Sequence, residues 1–252
     1  MPRYKLIIEY DGTGYYGWQD QRNGRSVQEA IEGAVTAFSG ETRRVQAAGR
    51  TDSGVHATHQ VVHVDLEREW PHGTIRDAMN AYLKGQGAAV LNVRPVADSF
   101  DARFSARKRH YVYRIVNRRP PVVLEKHRAW HVKWPINPAL MQAGADQLIG
   151  QHDFTTFRAA ECQAASPVKT LERLEIVANG EDIRVYASAR SFLHHQVRSM
   201  VGSLILVATG KWTPKELRDA LDACDRSRCG PMAPPDGLYL IGVDYEGADA
   251  AL

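Results

Sequence analysis

A carboxylate flanked by glycines and an arginine is the first candidate for chemistry in this chain of 252 residues. Asp52 lies in Ala48-Gly49-Arg50-Thr51-Asp52-Ser53-Gly54-Val55-His56. Gly49 and Gly54 allow the backbone to turn tightly. Arg50, two residues away, brings an opposite charge that favours the ionised carboxylate. Such a group can act as a base or a nucleophile. Spacing alone favours a plainer reading, an Asp-Ser-Gly turn beside a surface arginine. A second basic candidate is Arg198, in Ser191-Phe192-Leu193-His194-His195-Gln196-Val197-Arg198-Ser199-Met200-Val201-Gly202. It follows Val197 at the edge of an apolar stripe, where it either faces solvent or reaches the rim of a cleft. A third feature runs from Ala102 to Arg119, with seven Arg or Lys residues and no acidic residue. Phe104, Tyr111 and Tyr113 are interleaved there, a pattern suited to phosphates and stacked bases, or to a solvated strand face over core aromatics.

The elements that must position these groups read as a mixture of strands and helices. Strands are expected at Tyr4–Tyr10, Arg43–Ala47, Gln60–Leu66 and Val90–Val96, and a glycine-rich turn at Asp11-Gly12-Thr13-Gly14. Ser26 and Glu29 form a capping box for a helix to Phe38, whose Val27, Ala30, Ile31, Ala34, Val35 and Phe38 keep helical spacing. A second capped helix is expected over Thr74–Lys84. Beyond it, Lys108–Asn117 alternates as a strand, with Tyr111, Tyr113 and Ile115 on one face. Arg118–Pro135 reads as irregular connection. Asn137-Pro138 starts a helix that Gly150 stops. Strands Thr170–Ala178 and Asp182–Ser191 are joined through Asn179-Gly180. Val197–Ala208 is an amphipathic helix, Thr213-Pro214-Lys215-Glu216 opens another, and Leu238–Tyr245 is a closing strand. The expected class is α+β: two sheet-and-helix halves, residues 1–103 and 104–252, with mainly antiparallel sheets.

Composition sets the frame. Hydrophobic residues make up 44% and charged residues 24%, as in ordinary globular proteins. No apolar run approaches the ~18 residues of a membrane span. Glu9 and Asp11 come too early for a secretory apolar segment, so a cytoplasmic protein is expected. Cys162, Cys224 and Cys229 form no paired motif, which argues against disulfides or a structural zinc site. The net charge is only +3, so the basic character is local, although Arg outnumbers Lys 24 to 8.

In order along the chain, several motifs resemble one family. Gly49-Arg50-Thr51-Asp52 with Gly54-Val55-His56 resembles the signature of tRNA pseudouridine synthases of the TruA type. So do Glu9-Tyr10-Asp11-Gly12, Tyr15-Tyr16-Gly17-Trp18-Gln19, Ser26-Val27-Gln28-Glu29 and Phe100-Asp101-Ala102-Arg103-Phe104-Ser105-Ala106. Tyr111-x-Tyr113, Asp153-Phe154 with Phe157-Arg158, Val197-Arg198 with Val201-Gly202, and Gly237-Leu238-Tyr239-Leu240 complete the set. The resemblance spans nearly the whole chain and reverses the plain reading of Asp52. It implies the pseudouridine synthase fold, with an active-site cleft between the halves. It also implies isomerisation of uridines 38, 39 and 40 in the tRNA anticodon arm, without a metal or a nucleotide cofactor, by a homodimer. By the same resemblance Asp52 reacts at the ribose, either attacking C1′ or removing a C2′ proton. Tyr111 packs on the target base, Arg198 pairs with Asp52, and Arg50 assists extrusion of the base. Arg103 and the basic stretch after it hold the RNA backbone. Two departures stand out: Ser53 where the family commonly has Ala, and Ala165 where some relatives carry Arg.

Three rival readings remain distinct. A metal hydrolase would draw its ligands from His56, His59 and His63 with Asp52 and Asp65. A nucleosidase would need a second cooperating carboxylate, which the matching motifs lack. An RNA-binding module without chemistry would need the basic stretch but not Asp52.

Overall fold

Strand β1, Arg3–Tyr10, is buried over nearly its whole length, so both of its faces must be covered. In the computed structural model, which describes residues 1–19 and 24–247, two different layers do this. The Lys5 ammonium lies 5.3 Å from the Tyr245 ring and 6.0 Å from that of Phe100, which places this face against an aromatic cluster. By alternation Tyr4, Leu6 and Ile8 point the other way.

Contacts divide the chain into two units. The first comprises Met1–Arg109 and the segment from Tyr239 onward; the second is His110–Leu238. This differs from a division at 103/104 in two respects. The break falls inside a strand, and the closing strand belongs with the first unit, because Tyr239 and Leu240 pair with His56 and Ala57.

In the first unit the strand order is β4 (Ala88–Val96), β1, β3 (His56–Asp65), β10 (Leu238–Asp244), with the short β2 (Gln46–Ala47) pairing to β3. The β1–β3 and β1–β4 pairs are antiparallel, and β10 runs parallel to β3. Helix α1 (Val27–Ser39) starts as its sequence dictates. Ser26 accepts a hydrogen bond from the Glu29 N–H, and Gly40 ends the helix in the left-handed region. Helix α2 (His72–Leu83) packs on α1 and β4. It begins earlier than expected, after Pro71, and no side chain caps it. The strand expected over Arg43–Ala47 keeps only its last two residues in ladder pairing.

In the second unit the order is β5 (Lys108–Asn117), β9 (Asp182–Ala189), β8 (Val168–Asn179), β7 (Gly150–Asp153). The β8–β9 hairpin pairs Asn179 with Asp182, and Gly180 takes the positive φ of 58° that a two-residue turn demands. Within the expected irregular connection, Trp130–Val132 (β6) pairs parallel to β5. Helix α3 (Pro138–Asp146) begins under an Asn137 cap and ends before Gly150, which opens β7 instead. It packs on β8, α4 (Gln196–Ala208) and α5 (Pro214–Asp222). Almost every residue of α4 is buried, so it forms the centre of this unit. The fold is α+β with mainly antiparallel pairing. Among the described residues no helix is long and apolar enough to cross a membrane.

Candidate active site

The loop that carries Asp52 is fixed by bonds from several separate segments of the first unit. Upstream, Arg109 donates to the Ala48 carbonyl through Nη2 at 2.8 Å and Nε at 3.2 Å. The Gln60 Nε2 donates to the Gly49 carbonyl at 2.7 Å, and Tyr10 and Thr51 share a hydroxyl hydrogen bond of 2.8 Å. The Trp18 N–H donates to the Thr51 carbonyl. Past Asp52, the Ser53 hydroxyl and Gly54 N–H both donate to the Tyr15 carbonyl, and the Val55 N–H closes back on the Asp52 carbonyl. Asp52 itself is half-buried, while Arg50 is exposed.

Glycine is required where this loop meets the preceding turn. Gly17 has φ +87°, and a Cβ there would lie 2.8 Å from the Thr51 carbonyl oxygen and 3.2 Å from the Asp52 carbonyl carbon. A Cβ at Gly12 would lie 2.1 Å from the Val55 oxygen. Backbone thus packs on backbone on both sides of Asp52, which holds the carboxylate's Cα in place.

Two of the three histidines weighed as metal ligands, His56 and His63, have structural work. His56 is 3% exposed, accepts the Gly12 N–H at Nδ1 (3.0 Å) and stacks on Tyr239 with centroids 4.6 Å apart. Asp11 lies 3.2 Å from the same nitrogen. His63 is 5% exposed and accepts the Ala102 N–H at Nδ1, 3.0 Å away. Burial pushes its pKa below the ordinary value, which suits an acceptor role. His59 is exposed.

Tyr111 and Arg198 belong to the second unit. Tyr111 lies on β5, buried, with its ring edge-on to Phe192 at 5.2 Å. Two residues on, the Tyr113 hydroxyl donates to the Pro234 carbonyl, and burial raises its pKa so far that it stays neutral. Arg198 is only 7% exposed, against the solvent-facing alternative that helical spacing allowed. Its Nε donates to the Ala233 carbonyl at 2.9 Å, and the Ala233 N–H returns a bond to the Arg198 carbonyl. The close approach of this segment depends on Gly202, one turn later, where a Cβ would fall 1.7 Å from the Pro231 oxygen. His195 precedes the helix in the left-handed region, with φ 64°. Arg103 is exposed and belongs with Arg50 and Asp52 to the first unit, its guanidinium 5.4 Å from the Phe104 ring.

Sequence reasoning missed Arg109, Gln60 and Gly17 as supports of the Asp52 loop. Only Gly17 carried a local signal, as a glycine between two aromatic residues at the end of a turn.

A family described as tRNA pseudouridine synthase matches residues 6–105 and 145–246, well over half of the chain. The chain belongs to the tRNA pseudouridine synthase family. The matched segments contain Arg50, Asp52, Arg103 and Arg198, while Tyr111 falls between them. Similar proteins named tRNA pseudouridine synthase A agree over nearly full length. The protein of Azorhizobium caulinodans is 60% identical over 97% of this chain and 95% of its own. Those of Beijerinckia indica and Xanthobacter autotrophicus are each 59% identical over 97% of this chain, and over 94% and 100% of their own. This pseudouridine synthase is therefore an isomerase. Its reaction exchanges the N1–C1′ bond of a uridine for a C5–C1′ bond, with no change of oxidation state.

Proposed function

We propose that this synthase converts uridines 38, 39 and 40 of the tRNA anticodon arm to pseudouridine, with Asp52 as the catalytic carboxylate. The observation that carries the reading is the fixed Asp52 loop. A half-buried carboxylate held by backbone packing on both sides suits a group that must meet one ribose carbon in one geometry.

In the reaction the N1–C1′ bond breaks and its electron pair leaves with the uracil. The base turns, C5 bonds to C1′, the C5 proton passes to solvent and N1 takes up a proton in its place, so the product is an isomer of the substrate. Asp52 acts at the ribose, attacking C1′ or taking a C2′ proton that is later returned. Arg198 pairs with Asp52 and favours its ionised form. Tyr111 packs on the target base, and Arg50 fills the gap left when that base is extruded, which offsets a few kcal/mol of lost stacking. Arg103 holds the RNA backbone. No metal or nucleotide cofactor takes part, and the active species is a homodimer in the cytoplasm.

The test is tritium release from 5-tritiated uridine in tRNA, with wild type and Asp52→Ala compared at equal tRNA occupancy. The expected outcome is release by the wild type and none by the variant, with the tRNA Kd little changed. Release by Asp52→Ala at the wild-type rate would refute the assignment, and free uracil among the products would favour a nucleosidase.

A further inference from the structure

Phe104 is 78% exposed, which for a single aromatic residue is unremarkable. Its mounting is what sets it apart. The Asp101 carboxylate accepts the N–H groups of both Arg103 (2.7 Å) and Phe104 (2.8 Å). The Ser105 hydroxyl accepts the Asp101 N–H, and the Ser105 N–H donates to the Asp101 carbonyl. Below the turn, the Ala102 N–H goes to His63 and the Ala102 carbonyl accepts from the Tyr245 hydroxyl at 2.7 Å. Phe100, Ala102, Ala106 and Tyr245 form one buried cluster with Ala48 and Val61. Finally, the buried Arg109 guanidinium donates to the carbonyls of Arg103 (2.6 Å), Ala106 (3.2 Å) and Ala48 (2.8 Å). One cation therefore ties the Phe104 turn to the first residue of the Asp52 loop.

A hydrogen-bonded turn that projects an aromatic face, flanked by a guanidinium and followed by Arg107, Lys108 and Arg109, matches the chemistry of a nucleobase and its phosphate, with the turn's own carboxylate, Asp101, engaged by two backbone N–H groups. We propose that Phe104 is a stacking platform for an unpaired base of the tRNA other than the target uridine, with Arg103 on the adjoining phosphate. Arg109 is the positioning residue that fixes this platform relative to Asp52. The inference rests on the tRNA reading above and adds a binding site to it.

The test uses the full-length enzyme and one unmodified tRNA, with Kd from fluorescence anisotropy and kcat and KM from tritium release. Phe104→Ala is expected to raise Kd and KM about tenfold, within the range measured for loss of one stacked base. Phe104→Trp restores them and Phe104→Leu does not, since the platform needs a π-face. Arg103→Ala weakens binding and lowers the salt slope by about one counterion. A Kd for Phe104→Ala within twofold of the wild type overturns the proposal, as does full binding by Phe104→Leu. A change of mass in sedimentation for Phe104→Ala also overturns it, by making the face a contact between copies. Should the wild type bind tRNA through Phe104 yet form no pseudouridine, the platform stands and the reaction assigned above fails.

Discussion

Replacing Gly17 with alanine tests whether the Asp52 loop is held by contact. The new Cβ would sit 2.8 Å from the Thr51 oxygen and 3.1 Å from the Ser53 nitrogen, where ordinary contact begins near 3.4 Å. Both neighbours are backbone, so relief requires the loop to move by roughly 0.6 Å. If a 1 Å misplacement of reacting groups costs about a hundredfold, this displacement costs about tenfold in rate. Alanine at φ +87° adds about 1–2 kcal/mol of backbone strain, and crowding adds about 1–3 kcal/mol. The assay is single-turnover tritium release at saturating tRNA, read beside a thermal melt. Gly14→Ala is the control, because a Cβ there meets nothing within 4 Å. The expected result is a slowed chemical step with tRNA affinity preserved in Gly17→Ala, and wild-type behaviour in Gly14→Ala. A wild-type single-turnover rate for Gly17→Ala would refute the argument that backbone packing sets the position of Asp52.

Two further perturbations probe the supports. Gly202→Ala drives a methyl group into the Pro231 carbonyl and displaces the segment that holds Arg198, so a loss of about 1–3 kcal/mol in chemical denaturation is expected together with reduced kcat. His63 has a folded pKa below its unfolded value, so the unfolded chain binds the extra proton. Its contribution is complete above the unfolded value near pH 6.5 and is lost as pH falls towards the folded one, with a slope no steeper than about 1.4 kcal/mol per pH unit. Thermal melts from pH 7.5 to 5 should fall more steeply in the wild type than in His63→Asn, which offers an acceptor that does not titrate; parallel curves would count against the assignment.

Features governed by neighbouring residues were legible in the sequence. The Ser26 cap, the helix start at Thr213-Pro214-Lys215-Glu216 and the Gly180 hairpin are each decided within about four residues, and each stands where expected, although the full capping box belongs to Thr213 and Glu216 and not to Ser26 and Glu29. The errors share a different cause. Trp130–Val132 is a strand only because β5 lies beside it, and three residues carry no period of their own. The expected cap near Thr74 is not where helix α2 begins: it starts after Pro71, an N-cap in extended backbone that makes no side-chain bond. The same divide runs through the site. The glycines and arginine around Asp52 could be read directly. Its supports Tyr10, Gln60 and Arg109 are scattered over distant strands, and the burial of Arg198 comes from a segment 35 residues further on. Long-range contacts of this kind leave no periodic trace.

The return of β10 to the first unit has a consequence for biosynthesis. The second unit is one continuous stretch, His110–Leu238, and holds all its own residues once that stretch has left the ribosome. The first unit does not: His56 lacks its stacking partner and Ala102 its hydroxyl donor until Tyr239 and Tyr245 have been made. The half translated first is thus completed last, and the His56–Ala57 end of its strand β3 must wait through more than a hundred residues of synthesis for its β10 partner. A message cut short before Tyr239 would yield a second unit with its full sequence beside an Asp52 loop lacking its final strand, so the capacity for chemistry would arrive only with the closing residues.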